Sequence, residues 1–137
     1  MPDNTDMAIL ELLRQDSRLQ WKEIGERVHL TGQAVAMRIR KLEDMGILEG
    51  YTVRLNLEKL GKTMTGFVTV SMKTAEHQAF QQFIRSCGDI TEAHRISGSG
   101  CYLLKVSVAD RQELNRLLDE VLRFGNYSLN IFIGSIK

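Results

Sequence analysis

Apolar residues in the first 48 positions recur every three or four residues, the spacing of one helix face. The predicted helices run from a cap at Asp3, Thr5 or Asp6 to about Gln15, over about 20–28, and over 31–44. Trp21, Ile24 and Val28 share one face of the second helix. Thr31 supplies the N-cap oxygen of the third, and Gly46 stands where a left-handed residue ends a helix. The two-residue turn before Thr31 is typical of a helix-turn-helix.

Beyond residue 64 the pattern changes to alternation of apolar and polar residues, which indicates strands. The predicted strands cover 67–72, 90–97, 101–108 and 127–133, and the predicted helices cover 75–87 and the residues after Asp110. Tyr127, Leu129, Ile131 and Ile133 share one face of the last strand. This βαββαβ order predicts an α+β chain that ends in a ferredoxin-like domain, a four-stranded antiparallel sheet with helices on one face. The other face must be wet or packed against another subunit.

The segment 47–56 alternates loosely around Gly50 and predicts either a wing strand or a linker. We therefore predict a helix-turn-helix domain over 1–56, with the wing or linker over 47–61. The ferredoxin-like domain follows over 62–137.

The charge balance alone does not predict nucleic-acid binding. The net charge of the chain is +1, and residues 1–50 hold seven Lys/Arg against nine Asp/Glu. A DNA-binding surface would have to be local. Cys87 and Cys101 belong to no CxxC motif and read as buried small hydrophobes, so we predict no metal and no cofactor. No apolar run approaches the roughly 20 residues that span a bilayer, so we expect a cytoplasmic protein without a membrane partner.

At 100° per residue the third predicted helix has two faces. Its core face carries Val35, Ile39 and Leu42. Its opposite face carries an amide, small or flexible apolar groups and two cations, namely Gln33, Ala36, Met37, Arg40 and Lys41. An amide bonds adenine bidentately and an apolar group contacts a thymine methyl, so this face suits the major groove.

Arg40 and Lys41 are the predicted phosphate contacts, together with Lys22 and Arg27 from the preceding helix. Thr31, at the start of the helix, belongs to the same predicted DNA-binding surface. Arg38 lies near the edge of the core face, where it makes either a structural salt bridge or a phosphate contact. From the pattern alone, a plain helical module explains these cations equally well, because basic residues in a last turn also suit the helix dipole.

Short motifs over nearly the whole chain carry a family resemblance. They are Asp3-x-x-Asp6-x-x-Ile9-Leu10-x-x-Leu13, Asp16-Ser17-Arg18, Glu23-Ile24-Gly25, Leu30-Thr31, Val35-x-x-Arg38-Ile39-x-x-Leu42-Glu43-x-x-Gly46-Ile47, Gly50-Tyr51, Leu60-Gly61 and Ile96-Ser97-Gly98-x-x-Cys101-Tyr102-Leu103-Leu104. In these motifs the chain resembles the Lrp/AsnC, or feast/famine, transcription regulators. The resemblance implies a sequence-specific regulator of double-stranded DNA with an effector-sensing second domain. It also implies homodimers made by pairing the sheets, often assembled into octamers.

The resemblance places an effector, an amino acid or a related metabolite, near the turn between the second and third strands. The matching residues are Gly98, Ser99, Gly100, Cys101 and Tyr102. Glycines there leave amide N–H groups free for a carboxylate, although a simple hairpin turn needs the same residues. Many family members carry an Asp where this chain has Cys101, and a thiol offers a ligand's ammonium group little. The alternatives are another metabolite, or an architectural protein that bends DNA without an effector.

An enzyme on the ferredoxin-like plan is the remaining alternative. His29, His77 and His94 fall on three separate elements, and the chain has no nucleophile–base spacing, P-loop or HExxH motif. We therefore predict that the chain is not an enzyme.

Overall fold

The computed structural model describes residues Met1–Lys137, which divide into two compact units, Met1–Arg54 and Leu55–Lys137. The first unit contains three helices, α1 (Asn4–Gln15), α2 (Trp21–Val28) and α3 (Gly32–Asp44). The predicted three-helix arrangement is therefore confirmed. No helix in the chain has both the length and the apolar character needed to cross a membrane.

A reciprocal cap starts α1. The backbone N–H of Asp6 donates to the Asp3 carboxylate at 2.8 Å, and the N–H of Asp3 donates to the Asp6 carboxylate at 3.0 Å. This arrangement satisfies two N–H groups that a helix start leaves without partners. The core of the unit is formed by Ile9, Leu13, Ile24, Val35 and Ile39.

Trp21 is not part of that core, although its spacing with Ile24 and Val28 had placed it on the apolar face. Half of Trp21 (50%) is exposed to solvent. It is the first residue of α2, and helical side chains lean towards the N-terminus. This position explains why the side chain is not fully covered by the packed face of the helix.

The wing strand offered as an alternative for 47–56 does not form. The segment has no strand, and a short 3-10 helix (Glu58–Leu60) follows it. A strand needs a neighbour to take up its backbone hydrogen bonds, and residues 49–56 make none with any other backbone segment. The segment is therefore an extended linker, the other alternative.

The second unit is a four-stranded antiparallel sheet with two helices. Its elements are β1 (Met64–Met72), α4 (His77–Ser86), β2 (Ile90–Arg95), β3 (Tyr102–Val108), α5 (Arg111–Leu122) and β4 (Gly125–Ile131). The strand order β2-β3-β1-β4, with every neighbouring pair antiparallel, confirms the predicted ferredoxin-like plan. The last strand ends earlier than its alternation predicted. Ile131 pairs with Gly66, and Ile133 beyond it is 99% exposed, so the prediction that Ile133 shares a strand face is wrong.

One face of this sheet packs against both helices. The core residues are Val68, Val70, Phe80, Ile84, Tyr102, Leu104, Val106, Val108, Leu114, Leu117, Leu118, Val121 and Phe124. Cys87 and Cys101 are free thiols, half-buried against this core, so they are less buried than predicted. They act as small apolar groups at its edge.

The opposite face, which we call the open face, has no helix over it. It carries two aromatic rings, Phe67 and Phe132, whose centroids lie 6.4 Å apart. The Lys105 ammonium group lies 5.9 Å from the Phe67 ring centre and 6.0 Å from that of Phe132. Aromatic rings in contact with water are unfavourable, so the part of the open face around Phe67 and Phe132 suits association.

Candidate functional site

The turn between α2 and α3 fixes the start of the predicted reading helix. His29 ends α2 in the left-handed conformation, with φ of 60°, and the backbone N–H of Leu30 donates to the Gly25 carbonyl at 2.9 Å. A Cβ at Gly25 would lie only 2.3 Å from the Leu30 carbonyl oxygen. Only glycine therefore permits this close turn. Thr31 then caps α3, since its hydroxyl oxygen accepts the Ala34 N–H at 3.1 Å.

The two faces of α3 are as the 100° spacing predicted. Val35, Ile39 and Leu42 are buried, at 2% exposure or less. The residues on the other side are exposed, except for Ala36, which is half-buried; they are Gln33, Met37, Arg40 and Lys41. Met37 is 70% exposed, an arrangement that leaves a large apolar side chain in water.

Arg38 makes the structural salt bridge, one of its two predicted alternatives. Its guanidinium donates to the Asp3 carboxylate at 2.8 Å and to the Asp6 carboxylate at 3.0 Å. This hydrogen bond from Arg38 is the main reason that the pKa of Asp3 falls from 3.8 to about 2. The same two carboxylates raise the pKa of Arg38. Arg38 thus joins α3 to the start of α1, and its charge is already neutralised.

The other cations of the unit are differently placed. Lys22, Arg40 and Lys41 are exposed, and none of them takes part in a salt bridge. Their charges are therefore free to meet an anion such as a phosphate.

Trp21 is a candidate that the sequence pattern missed. The backbone at Trp21 and Lys22 lies directly beside Gly32, where a Cβ would come within 3.7 Å of the Trp21 carbonyl carbon and within 3.4 Å of the Lys22 nitrogen. The start of α2, with its half-exposed tryptophan, therefore packs against the first turn of α3. Its position as the first residue of a helix was the signal that it need not join the core.

In the second unit, the turn between β2 and β3 packs closely on β1. The N–H of Cys101 donates to the Val70 carbonyl at 2.7 Å, and Gly98 adopts φ of 107°. A Cβ at Gly100 would lie 2.5 Å from the Thr69 methyl carbon. Gly100 therefore serves close packing. The amides of Gly98 and Ser99 donate to no other backbone group.

Tyr102 does not face this turn. Its side chain is buried on the helix side of the sheet, and its hydroxyl contacts His77 Nδ1 at 2.8 Å and accepts from Gln81 at 3.2 Å. The structure thus brings Gly98, Ser99, Gly100 and Cys101 together in one turn and separates the Tyr102 ring from it.

This chain joins a helix-turn-helix, which exposes an amide and several cations, to a ferredoxin-like unit. These features place it in the class of helix-turn-helix DNA-binding proteins. The family models agree with both halves. The AsnC-type helix-turn-helix domain matches residues 3–43, and the Lrp/AsnC ligand binding domain matches residues 65–137. The chain belongs to the Lrp/AsnC family of transcription regulators.

The relatives match the chain over most of its length. It is 46% identical over 135 residues to the HTH-type transcriptional regulator LrpB of Bacillus subtilis (strain 168), covering 98% of this chain and 91% of the relative. It is 34% identical over 123 residues to the leucine-responsive regulatory protein of Escherichia coli (strain K12), covering 88% and 75%.

Two solved structures show the same fold over its full length. The structure of B. subtilis LrpC has a TM-score of 0.95 at 28% identity, covering 100% of this chain and 98% of the other. A transcriptional regulator of Neisseria meningitidis, solved as a complex with L-Met, has a TM-score of 0.92 at 25% identity, covering 100% and 93%. The chain is therefore a helix-turn-helix transcription regulator with a ligand-binding domain of the Lrp/AsnC type.

Proposed function

We propose that this regulator reads double-stranded DNA with the exposed face of α3. The observation that supports this is the arrangement of α3 itself. Val35 and Ile39 are buried, whereas Gln33 and Met37 extend into solvent on the opposite side. A helix held by one face and exposed on the other fits the major groove, which admits an α-helix.

Within this surface, the side chains divide by chemistry. Gln33, Ala36 and Met37 contact base edges, where an amide and apolar groups discriminate between base pairs. Lys22, Arg40 and Lys41 contact phosphates, and these contacts fix the register without reading sequence. Trp21 joins them as a backbone contact through its indole N–H, whereas Thr31 and Arg38 support the helix from within the protein.

The test is a gel shift on genomic fragments at two salt concentrations. Each phosphate contact contributes to the salt dependence, so Arg40→Ala should weaken binding to all sequences and lower the slope of log K against log salt by about 1. Arg116→Ala, which removes an exposed arginine of α5, is the matched control and should leave the slope unchanged. No retardation of the wild-type chain at low salt would refute the proposal.

The open face suggests how two copies associate. Packing the Phe67–Phe132 surface of one chain on that of another would bury both pairs of rings and give a C₂ dimer. Two reading helices then meet half-sites about 34 Å apart, one turn of DNA. Octamers would be built from such dimers. Phe132→Asp should convert dimers to monomers in sedimentation, whereas Ile136→Asp, at a fully exposed position, should not. Unchanged mass for Phe132→Asp would exclude this interface.

We also infer that the domain boundary lies between residues 56 and 62. A separate inference concerns the second domain, which we propose senses a small metabolite at the turn 97–101. The named relatives include a leucine-responsive protein and a complex with L-Met. The free amides of Gly98 and Ser99 are the groups available to a carboxylate. A thermal-shift panel of amino acids tests this, and a flat response would favour the effector-independent architectural alternative.

Because the family acts in transcription, we infer neither catalysis nor a resident cofactor.

A further inference from the structure

A pocket of about 260 Å³ opens on the helix side of the sheet, between α4 and the edge strand β2. Its lining includes Gln81 and Arg85 of α4, His94 and Arg95 of β2, and the Tyr102 ring. This volume lies just below the range of roughly 300–1,000 Å³ that holds drug-sized ligands, so the pocket suits a small metabolite.

The wall of this pocket is rigid. The Tyr102 hydroxyl is held by His77 and Gln81, and its ring meets Phe80 edge-on with centroids 4.9 Å apart. The Arg95 guanidinium carbon lies 5.0 Å from the centre of the same ring. A stacked guanidinium on a fixed ring loses little freedom when it binds an anion.

The charges around the pocket are unbalanced. Neither Arg85 nor Arg95 takes part in a salt bridge, and neither donates a side-chain hydrogen bond within the protein. The Glu92 carboxylate lies 3.7 Å from His94 Nε2, and no Asp or Glu is among the lining residues. The lining therefore offers guanidinium donors, an amide and apolar carbon, and no anionic group.

We propose that this pocket binds a small carboxylate that has an apolar tail and no ammonium group, such as a branched 2-oxo acid. Arg85 and Arg95 bind the carboxylate, since guanidinium matches it bidentately. Ile84 and the Tyr102 ring contact the tail. The site goes beyond the effector site proposed at the turn 97–101, because the Tyr102 ring faces away from that turn and no residue of the turn lines the pocket.

The absence of a carboxylate in the lining is what selects this ligand class. A zwitterionic amino acid brings an ammonium group that two neighbouring guanidinium groups repel and that no acidic group of the lining pairs. A 2-oxo acid of the same skeleton carries a carbonyl oxygen at that position, which accepts hydrogen bonds from Arg or Gln donors.

Titration calorimetry on the full chain, without DNA, tests this with two probes of one skeleton, 4-methyl-2-oxopentanoate and L-leucine. We expect saturable binding of the oxo acid, with leucine at least about tenfold weaker at this pocket. Arg95→Gln should weaken the oxo acid at least about tenfold, because it removes the stacked guanidinium. Arg116→Gln, which removes an equal charge from α5, should leave binding unchanged.

Three outcomes overturn the proposal. The first is no binding of the oxo acid up to millimolar concentrations, and the second is an equal loss of oxo acid affinity in Arg95→Gln and Arg116→Gln. The third is leucine binding that is as tight as that of the oxo acid and that Arg95→Gln weakens to the same extent. Circular dichroism confirms that each exposed-site variant is folded. Since binding is measured without DNA, failure here leaves the proposed DNA-binding surface untouched, and failure of the gel shift leaves this pocket untouched.

Discussion

Gly25→Ala should displace the reading helix, because the α2–α3 turn leaves no room for a methyl group. The added Cβ would lie 2.3 Å from the Leu30 carbonyl oxygen and 3.3 Å from the Thr31 carbonyl carbon. Both are backbone atoms, so no side-chain rotation relieves the overlap. The turn must therefore recede by about 1 Å from α2, in a unit whose interior is closely packed.

The free energy of unfolding of the first unit changes through two opposing effects. Forcing an extra methyl group into packed structure costs about 1–3 kcal/mol, and the upper end applies to a backbone overlap. Alanine in a helix interior returns about 1 kcal/mol relative to glycine. The net loss is about 1–2 kcal/mol, which lowers the Tm of a unit this size by roughly 5–15 °C.

Trp21 makes the measurement specific. It is the chain's single tryptophan and lies in the first unit, so its fluorescence follows the unfolding of that unit alone. Gly50→Ala is the matched control, since a Cβ there meets nothing within 4 Å. Gly25→Ala should also weaken DNA binding below the unfolding temperature, because α3 moves. If both variants have the Tm and the DNA affinity of the wild type, this account of the turn is wrong.

Two further perturbations test separate parts of the structure. Arg38 lowers the pKa of the Asp3 carboxyl to about 2, so the contribution of this carboxylate to stability is complete above pH 3.8 and is lost as the pH falls towards 2. Arg38→Gln should therefore remove part of the difference in stability between pH 5 and pH 2, measured in melts followed by Trp21 fluorescence. An unchanged difference would contradict the pairing of Arg38 with Asp3. Gly100→Ala should destabilise the second unit by about 1–3 kcal/mol in denaturant unfolding followed by circular dichroism, because its Cβ meets Thr69 at 2.5 Å. Gly88→Ala, in open space, should be neutral, and equal effects would refute the close packing of this turn.

Local signals in the sequence were sufficient for the helix-turn-helix. Thr31 and Gly46 carry cap chemistry that acts within a few residues, and both adopt the predicted roles: Thr31 caps α3, and Gly46 has φ of 72°. The strands and helices of the second unit were predictable for the same reason, since the type of each element follows from the spacing of its own apolar residues.

Features set by distant residues were not predictable. Arg38 pairs with Asp3, 35 positions away, and the sequence alone left its role open. Arg85 and Arg95 lie on separate elements, and only the packing of α4 against β2 brings them to one pocket. Ile133 fits the alternation of the last strand, yet β4 ends at Ile131, and the pairing with β1 continues only as far as the Phe132 N–H, which donates to the Thr65 carbonyl at 2.9 Å.

The central claim, that α3 reads sequence, is tested most directly by selecting preferred sites from random DNA with the wild type and with Gln33→Ala. Gln33 is exposed near the start of α3, and one bidentate contact contributes about 1–3 kcal/mol of base discrimination. The account predicts that Gln33→Ala loses preference at one or two positions per half-site while non-specific affinity persists, and that Gln112→Ala, an exposed glutamine of α5, changes nothing. An unaltered preferred site for Gln33→Ala would contradict the assignment of this face to DNA.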